Sequence, residues 1–263
     1  MSGRITDPLA LALGAAAITF GGAVVGLALK HTLSEKLTTG APRDAVASVV
    51  GLLTLLCALV LGLLIWTAYG VYSNQNATIQ NYAMRVLVED MALEDYGPEA
   101  EPARAGLLDG LEKTVKQLWG PRFTDDFVTV NYRAAIIAMR AGQFYLDTLE
   151  PTTEAQKTAL AAAVQAHTAS AQLRVQMALA LTNPVSYPLM AIVVAWVTIL
   201  LCGYGFMSRL SPVSVVALAL GALAISSALY TIMELSDPYG GPFRASPAPI
   251  ERLIQDIKNG ETH

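Results

Sequence analysis

The chain has 263 residues, of which 54% are hydrophobic and only 14% charged, with a net charge of −4. A water-soluble domain carries about 25% charged residues, so this composition excludes an ordinary soluble fold. The acidic balance excludes a basic nucleic-acid surface.

Four long apolar segments hold the deficit of charge: Pro8–Leu29, Val46–Tyr72, Tyr187–Met207 and Pro212–Leu235. Each is near or above the ~20 residues that a helix needs to cross the hydrocarbon core of a bilayer. None contains Asp, Glu, Lys or Arg before its very end. The net charge lies between the two pairs: residues 73–186 hold 13 acids and 9 bases, whereas residues 1–72 sum to +1 and residues 187–263 to −1. This patterning predicts an all-α integral membrane protein, with two transmembrane hairpins (1–72 and 187–236), a soluble helical domain (73–186) and a proline-rich tail (237–263).

The first segment is too long for the apolar core of a signal peptide and is read as a retained helix. Within it, Gly22-Ala23-Val24-Val25-Gly26 is a GxxxG motif, and Gly203 and Gly205 flank Tyr204 in the third segment. Small residues let helix backbones approach closely in lipid, either within one subunit or between subunits. An even number of spans puts both termini and the soluble domain on one side. The counts of Lys and Arg near the two faces, four against five, barely bias the orientation; the cytoplasm is the expected side.

No Pro or Gly follows the second segment until Gly97, and Ile79, Tyr82, Ala83, Val86, Leu87 and Asp90 recur at helical spacing. One long helix is expected to leave the membrane and enter the soluble domain. Trp66, Tyr69, Tyr72, Tyr187 and Tyr230 suit the interface, where amphipathic rings are favoured. Gly97-Pro98 ends that helix. Leu107, Leu108, Leu111, Val115 and Leu118 mark the next, closed by Gly120-Pro121. Thr124-Asp125-Asp126 resembles a helix start. Val128, Tyr132, Ala135, Met139, Gly142, Leu146 and Leu149 predict a packing seam. Thr153 and Gln156 fit a capping box ahead of an alanine-rich helix that ends before Asn183-Pro184. In the tail, two prolines and two glycines between Asp237 and Pro242 exclude helix, so an ordered connector along the soluble helices is expected. Pro249 can open a last helix through Lys258.

No phosphate-binding loop, HExxH or Cys/His cluster with metal spacing is present. No catalytic role, metal or other cofactor is implied. His31, His167 and His263 are far apart, and His167 in its alanine-rich helix reads as an ordinary packing or surface residue. Cys57 and Cys202 lie in apolar segments and read as small buried residues. The spans also lack the mid-membrane ionisable groups that ion-coupled transporters use. A passive pore remains open to this composition, because an apolar constriction can gate by wetting and drying.

Two stretches make the chain resemble the bacterial bestrophin-like family, a domain of unknown function named for its similarity to bestrophin anion channels. The first is Leu59-Val60-Leu61-Gly62-Leu63 followed by Tyr72-Ser73-Asn74-Gln75-Asn76. The second is the tail, Asp237-Pro238-Tyr239-Gly240-Gly241-Pro242-Phe243-Arg244-Ala245-Ser246-Pro247-Ala248-Pro249, whose family-like positions are Asp237, Pro238, Tyr239, Gly241, Ser246, Pro247 and Pro249. The resemblance implies a homo-oligomer, a pentamer, conducting monovalent anions along an axial pore lined by the second span. Aligned on the VLG core, the apolar neck of bestrophins falls on Leu55, Leu59 and Leu63, with Thr67 and Asn74 as polar candidates for the pore mouth. The spacing of four keeps the leucines on one slowly drifting face, which is equally the pattern of a lipid-facing or packed span. The chain departs from bestrophins in having no aromatic at these positions, Gly70, Val71 and Tyr72 where a basic, tryptophan-rich stretch stands, and only Glu234 and Asp237 where a calcium cage would need more acids.

The expected setting is the bacterial inner membrane, with lipid as one partner, further copies of the chain as another, and no nucleic acid. The alternative is a non-conducting anchor or sensor whose helical domain binds a soluble protein. Its docking face would be Glu89, Asp90, Glu94, Asp95, Glu99 and Glu101, a run that equally reads as a solvated surface.

Overall fold

The computed structural model describes residues 8–32, 40–120, 127–180, 187–237 and 239–260. The helix start expected at Thr124-Asp125-Asp126, the prolines Pro121, Pro184 and Pro238, Asn183, and the side chains of Val128 and Tyr187 lie outside the described residues. Regular structure among those described is helical: α1 Pro8–Thr32, α2 Ala41–Tyr96, α3 Glu101–Trp119, α4 Phe127–Asp147, α5 Glu154–Ala180, α6 Tyr187–Met207, α7 Pro212–Leu235 and α8 Ala248–Asn259. A 3₁₀ turn, Pro98–Ala100, joins α2 to α3. Four of the helices, α1, α2, α6 and α7, are long and apolar enough to cross a membrane.

The chain forms two compact units, one from residues 5–70 and 184–236, the other centred on residues 71–183 and 237–263. Helix α2 contributes to both, because nothing in its sequence stops it. Its 56 residues amount to about 84 Å of helix, far more than the ~30 Å hydrocarbon layer requires. It ends where Gly97 takes φ +113°, a conformation that residues with a side chain rarely adopt, and Pro98 then blocks continuation.

In the first unit α1 packs along α6 and α7. Ala12, Ala15, Ala23, Leu27, Val193, Val197, Ala222 and Leu229 form its buried core. The contact is close because glycine makes it so. A Cβ at Gly22 would lie 2.6 Å from the Thr198 methyl, one at Gly26 would collide with the Cys202 carbonyl, and one at Gly205 with the Ala23 carbonyl. The GxxxG motif is thus used within the chain, facing α6. Thr19 Oγ1 in this unit bonds to its own helix, at the Ala15 carbonyl, 2.8 Å away. Lys30 donates to the Ser208 carbonyl at 2.7 Å, placing a cation at the C-terminal end of α6, where the helix dipole favours it. Ser211 caps α7, its Oγ accepting from the Ser214 N–H at 3.1 Å.

The second unit is held by two apolar clusters. One joins Ile79, Tyr82 and Val86 of α2 to Leu111 and Leu118 of α3, Met177 of α5 and Ile250 and Leu253 of α8. The other joins Leu93 and Tyr96 to Ala100, Ala103, Leu146, Ala159 and Ala163. The capping box at the start of α5 forms as the sequence suggests: the Gln156 N–H donates to Thr153 Oγ1 at 3.1 Å, and the Thr153 N–H donates to Gln156 Oε1 at 3.3 Å. The seam on α4 is shifted from expectation. Asn131, Ala135 and Leu146 are buried, whereas Tyr132 and Met139 are exposed; Leu146 packs against Ala159 and Ala163 of α5.

The tail is an ordered strap on this unit. The buried Tyr239 donates its hydroxyl to Gln75 Oε1 at 3.0 Å and meets the Trp119 ring edge-on, centroids 5.2 Å apart. Trp119 Nε1 donates to the Ala245 carbonyl at 2.7 Å. Gly241 has φ +68°, which accounts for a glycine there. Ser246 Oγ accepts from the Ala248 N–H at 3.2 Å. Pro247 caps α8 and accepts through its carbonyl from Ile250 and Glu251 at 2.9 and 3.0 Å, and Pro249 occupies the first turn.

Two stability outcomes are expected. Gly26→Ala should cost about 1–3 kcal/mol through overpacking, seen as a lower unfolding temperature of the detergent-purified protein. Gly14→Ala, where a Cβ meets nothing within 4 Å, should not. Tyr239→Phe, which strips the buried Gln75 of its donor, should cost about 1–3 kcal/mol in the same assay.

Candidate functional site

Helix α2 has two unlike faces within the apolar span. Leu53, Cys57, Val60, Leu61 and Leu64 pack against the core of α1, α6 and α7. On the other side Leu55, Leu59 and Leu63 are 71%, 68% and 58% exposed. Leu52 and Trp66 extend this stripe. The three leucines therefore lie together on a continuous apolar face that the chain itself leaves uncovered. Thr67, also exposed, continues it; its hydroxyl donates to the Leu64 carbonyl at 2.9 Å, which satisfies the proton and leaves the oxygen free to accept. Asn74 is exposed further along the same helix, in the other unit. From Ala45 to Met84 the helix carries no charged residue, so nothing on this face attracts or repels an ion by full charge.

The second unit contains a buried polar set that sequence reasoning missed. Glu89 and Asp90, two members of the acidic run, are 3% and 0% exposed, which corrects their expected place on an outward docking face. Asp90 accepts a two-pronged hydrogen bond from Arg104 at 2.9 and 3.0 Å, and Arg104 also reaches Glu94 at 3.4 Å. Glu89 accepts from His167 Nδ1 at 2.8 Å and from Ser170 Oγ at 3.2 Å. His167 is thus neither a surface residue nor ordinary packing. Its Nε2 lies 3.0 Å from the Met139 carbonyl, so both ring nitrogens face acceptors, and only the imidazolium can donate to both. Gly142 makes room for the ring, since a Cβ there would collide with it. A signal was available: His167, Ser170 and Arg174 stand at i, i+3 and i+7 on an alanine-rich helix, which puts all three on one face.

This arrangement does not activate a nucleophile. Ser170 Oγ has a nearer acceptor in the His167 carbonyl, at 2.9 Å, than in Glu89, at 3.2 Å, and neither histidine nitrogen addresses the hydroxyl, because Nδ1 faces Glu89 and Nε2 the Met139 carbonyl. Among the described residues no group of three or more His, Cys, Asp or Glu side chains is placed to hold a metal ion.

Burial disfavours the charged imidazole, but the hydrogen bond and charge of Glu89, with the Met139 carbonyl, outweigh it and raise the His167 pKa above its ordinary value. A raised native pKa contributes stability that is complete below the ordinary histidine pKa of about 6.5 and is lost as pH rises through the native value. The unfolding temperature of the purified protein is therefore expected to fall as pH rises beyond about 6.5, and this fall should be flattened in His167→Gln.

The sequence pattern of the bestrophin-like domain matches residues 17–250. No curated protein matches the chain in sequence. Two crystal structures are similar, both of variants of a bacterial bestrophin homologue from Klebsiella pneumoniae. The tryptophan-to-alanine variant superposes with a TM-score of 0.60 at 12% identity, over 97% of this chain and 98% of that one. The isoleucine-to-threonine variant superposes with a TM-score of 0.62 at 13% identity, over 94% and 99%. At such identities the likeness is one of fold, and it extends over nearly the full length of both chains. The family match, four helices fit to span a bilayer and a tail strapped to a helical unit lead to one conclusion: this chain is an integral membrane protein that belongs to the bestrophin-like family.

Proposed function

We propose that the protein is a homo-oligomeric channel, a pentamer, that passes monovalent anions passively along an axial pore lined by α2. The observation that carries this reading is the uncovered leucine stripe. Within its apolar window α2 buries 11% of its residues, against 28%, 33% and 28% for α1, α6 and α7. A helix so little covered by its own chain is suited to stand at a symmetry axis, where copies of itself complete its surroundings. Rings of Leu55, Leu59 and Leu63 one turn apart would form a dry constriction that conducts only when wetted. Thr67 and Asn74 would supply uncharged hydrogen-bonding groups at its mouth. With no cation on this stretch, discrimination between anions is expected to be weak. In this reading residues 1–72 and 187–236 form the hairpins in the bacterial inner membrane. Residues 73–186, the tail 237–263 and both termini face the cytoplasm.

The acidic-docking alternative is weakened by the inward placement of Glu89 and Asp90. For the channel, detergent-purified protein should have the mass of several copies, and reconstituted liposomes should release chloride. Leu59→Ala, which widens the constriction and shortens its dry length, should raise the efflux rate about tenfold, equivalent to about 1.4 kcal/mol off the barrier. Vesicles that stay sealed with both proteins, or a monomeric particle, would refute the proposal.

A further inference from the structure

The helical unit holds a part-open cavity of about 380 Å³ between α2, α3, α4 and α5. A single water occupies about 30 Å³ of liquid, and pockets for small organic ligands begin near 300 Å³. Much of the wall is apolar, with Val86, Leu107, Ala135 and Leu146 among its residues. Arg174 also lines it and is only 3% exposed. Its Nε donates to Thr114 Oγ1 at 3.4 Å and its Nη2 to Gln117 Oε1 at 3.1 Å. Among the described residues its Nη1 has no hydrogen-bond partner.

The charges on the wall leave this guanidinium uncompensated. Glu89 is engaged by His167 and Ser170. Asp109 is paired with Lys113 at 2.5 Å. Both protein partners of Arg174 are neutral, and the side chains whose charge bears on it are the phenols Tyr82 and Tyr239, which are neutral below about pH 10. Burial accordingly lowers the Arg174 pKa, though arginine remains charged. Buried charges in proteins are normally paired. A buried cation with an idle donor, belonging to a residue that lines a roomy, largely apolar cavity, is suited to an anion that comes from outside the chain.

We propose that this cavity binds a small organic monocarboxylate, its carboxylate on the Arg174 guanidinium and its apolar body along the α3 and α4 walls. An inorganic ion would meet the charge but leave most of the volume unfilled. The site lies wholly within the helical unit and stands independently of the channel reading.

Benzoate is a suitable probe, titrated calorimetrically into the detergent-purified full-length protein in chloride-free buffer. Saturable binding is expected, with a raised unfolding temperature. Arg174→Gln should weaken it about ten- to a hundredfold, the worth of a charge-assisted hydrogen bond. A second variant guards against misfolding of the first. Gly110 lines the cavity, and a Cβ there meets nothing within 4 Å, so Gly110→Leu should fold and occlude the space. It too should lose benzoate binding. The proposal fails if wild type shows neither heat nor stabilisation, or if benzoate binds Gly110→Leu as it binds wild type. It also fails if sodium chloride alone gives the whole stabilisation and benzoate adds nothing, an inorganic counter-ion then being the occupant.

Discussion

The four spanning helices of this molecule answer to a solvent that cannot hydrogen-bond. In hydrocarbon an unmet backbone N–H or C=O costs several kcal/mol, so the chain crosses as helices that satisfy themselves internally. The threonine hydroxyls of the spans meet the same demand. Thr19, Thr54, Thr67, Thr198 and Thr231 each donate to a carbonyl three or four residues back on their own helix. Because lipid is as apolar as leucine, burial contributes little to helix association, and close van der Waals fit takes its place. Gly22, Gly26 and Gly205 provide that fit between α1 and α6.

Helix α2 is the exception that gives the fold its functional interest. It turns one face to the core of its own chain and leaves a leucine face open. It is also free of charge over the whole of that stretch. In the proposed channel such an apolar wall would control permeation through wetting, with little electrostatic selection.

The helical unit works by the opposite rules. Apolar clusters drive its packing, and the carboxylates it buries are matched. Asp90 has Arg104, and Glu89 has His167 and Ser170. The two cations on the inward face of α5 differ in that respect. His167 sits between two acceptors, whereas Arg174 keeps an idle donor over a cavity. Pairing makes the first a determinant of stability; the lack of it makes the second a recognition group.

The sequence by itself determined that this is an all-α membrane protein. Four chargeless stretches of spanning length, the helix-stopping Gly97-Pro98 and the Thr153/Gln156 cap are local features, and local rules suffice to read them. The family resemblance was also legible, in the second span and in the tail with its Tyr239, Gly241 and Ser246. Tertiary structure alone decided which faces meet. The GxxxG motif could have served a neighbour and instead serves α6. Glu89 and Asp90 looked like a solvated run and are buried, because their partners, His167 and Arg104, lie 78 and 14 residues away. A helix's periodicity records that it has a face; the identity of what covers that face is a long-range property, written in other parts of the chain.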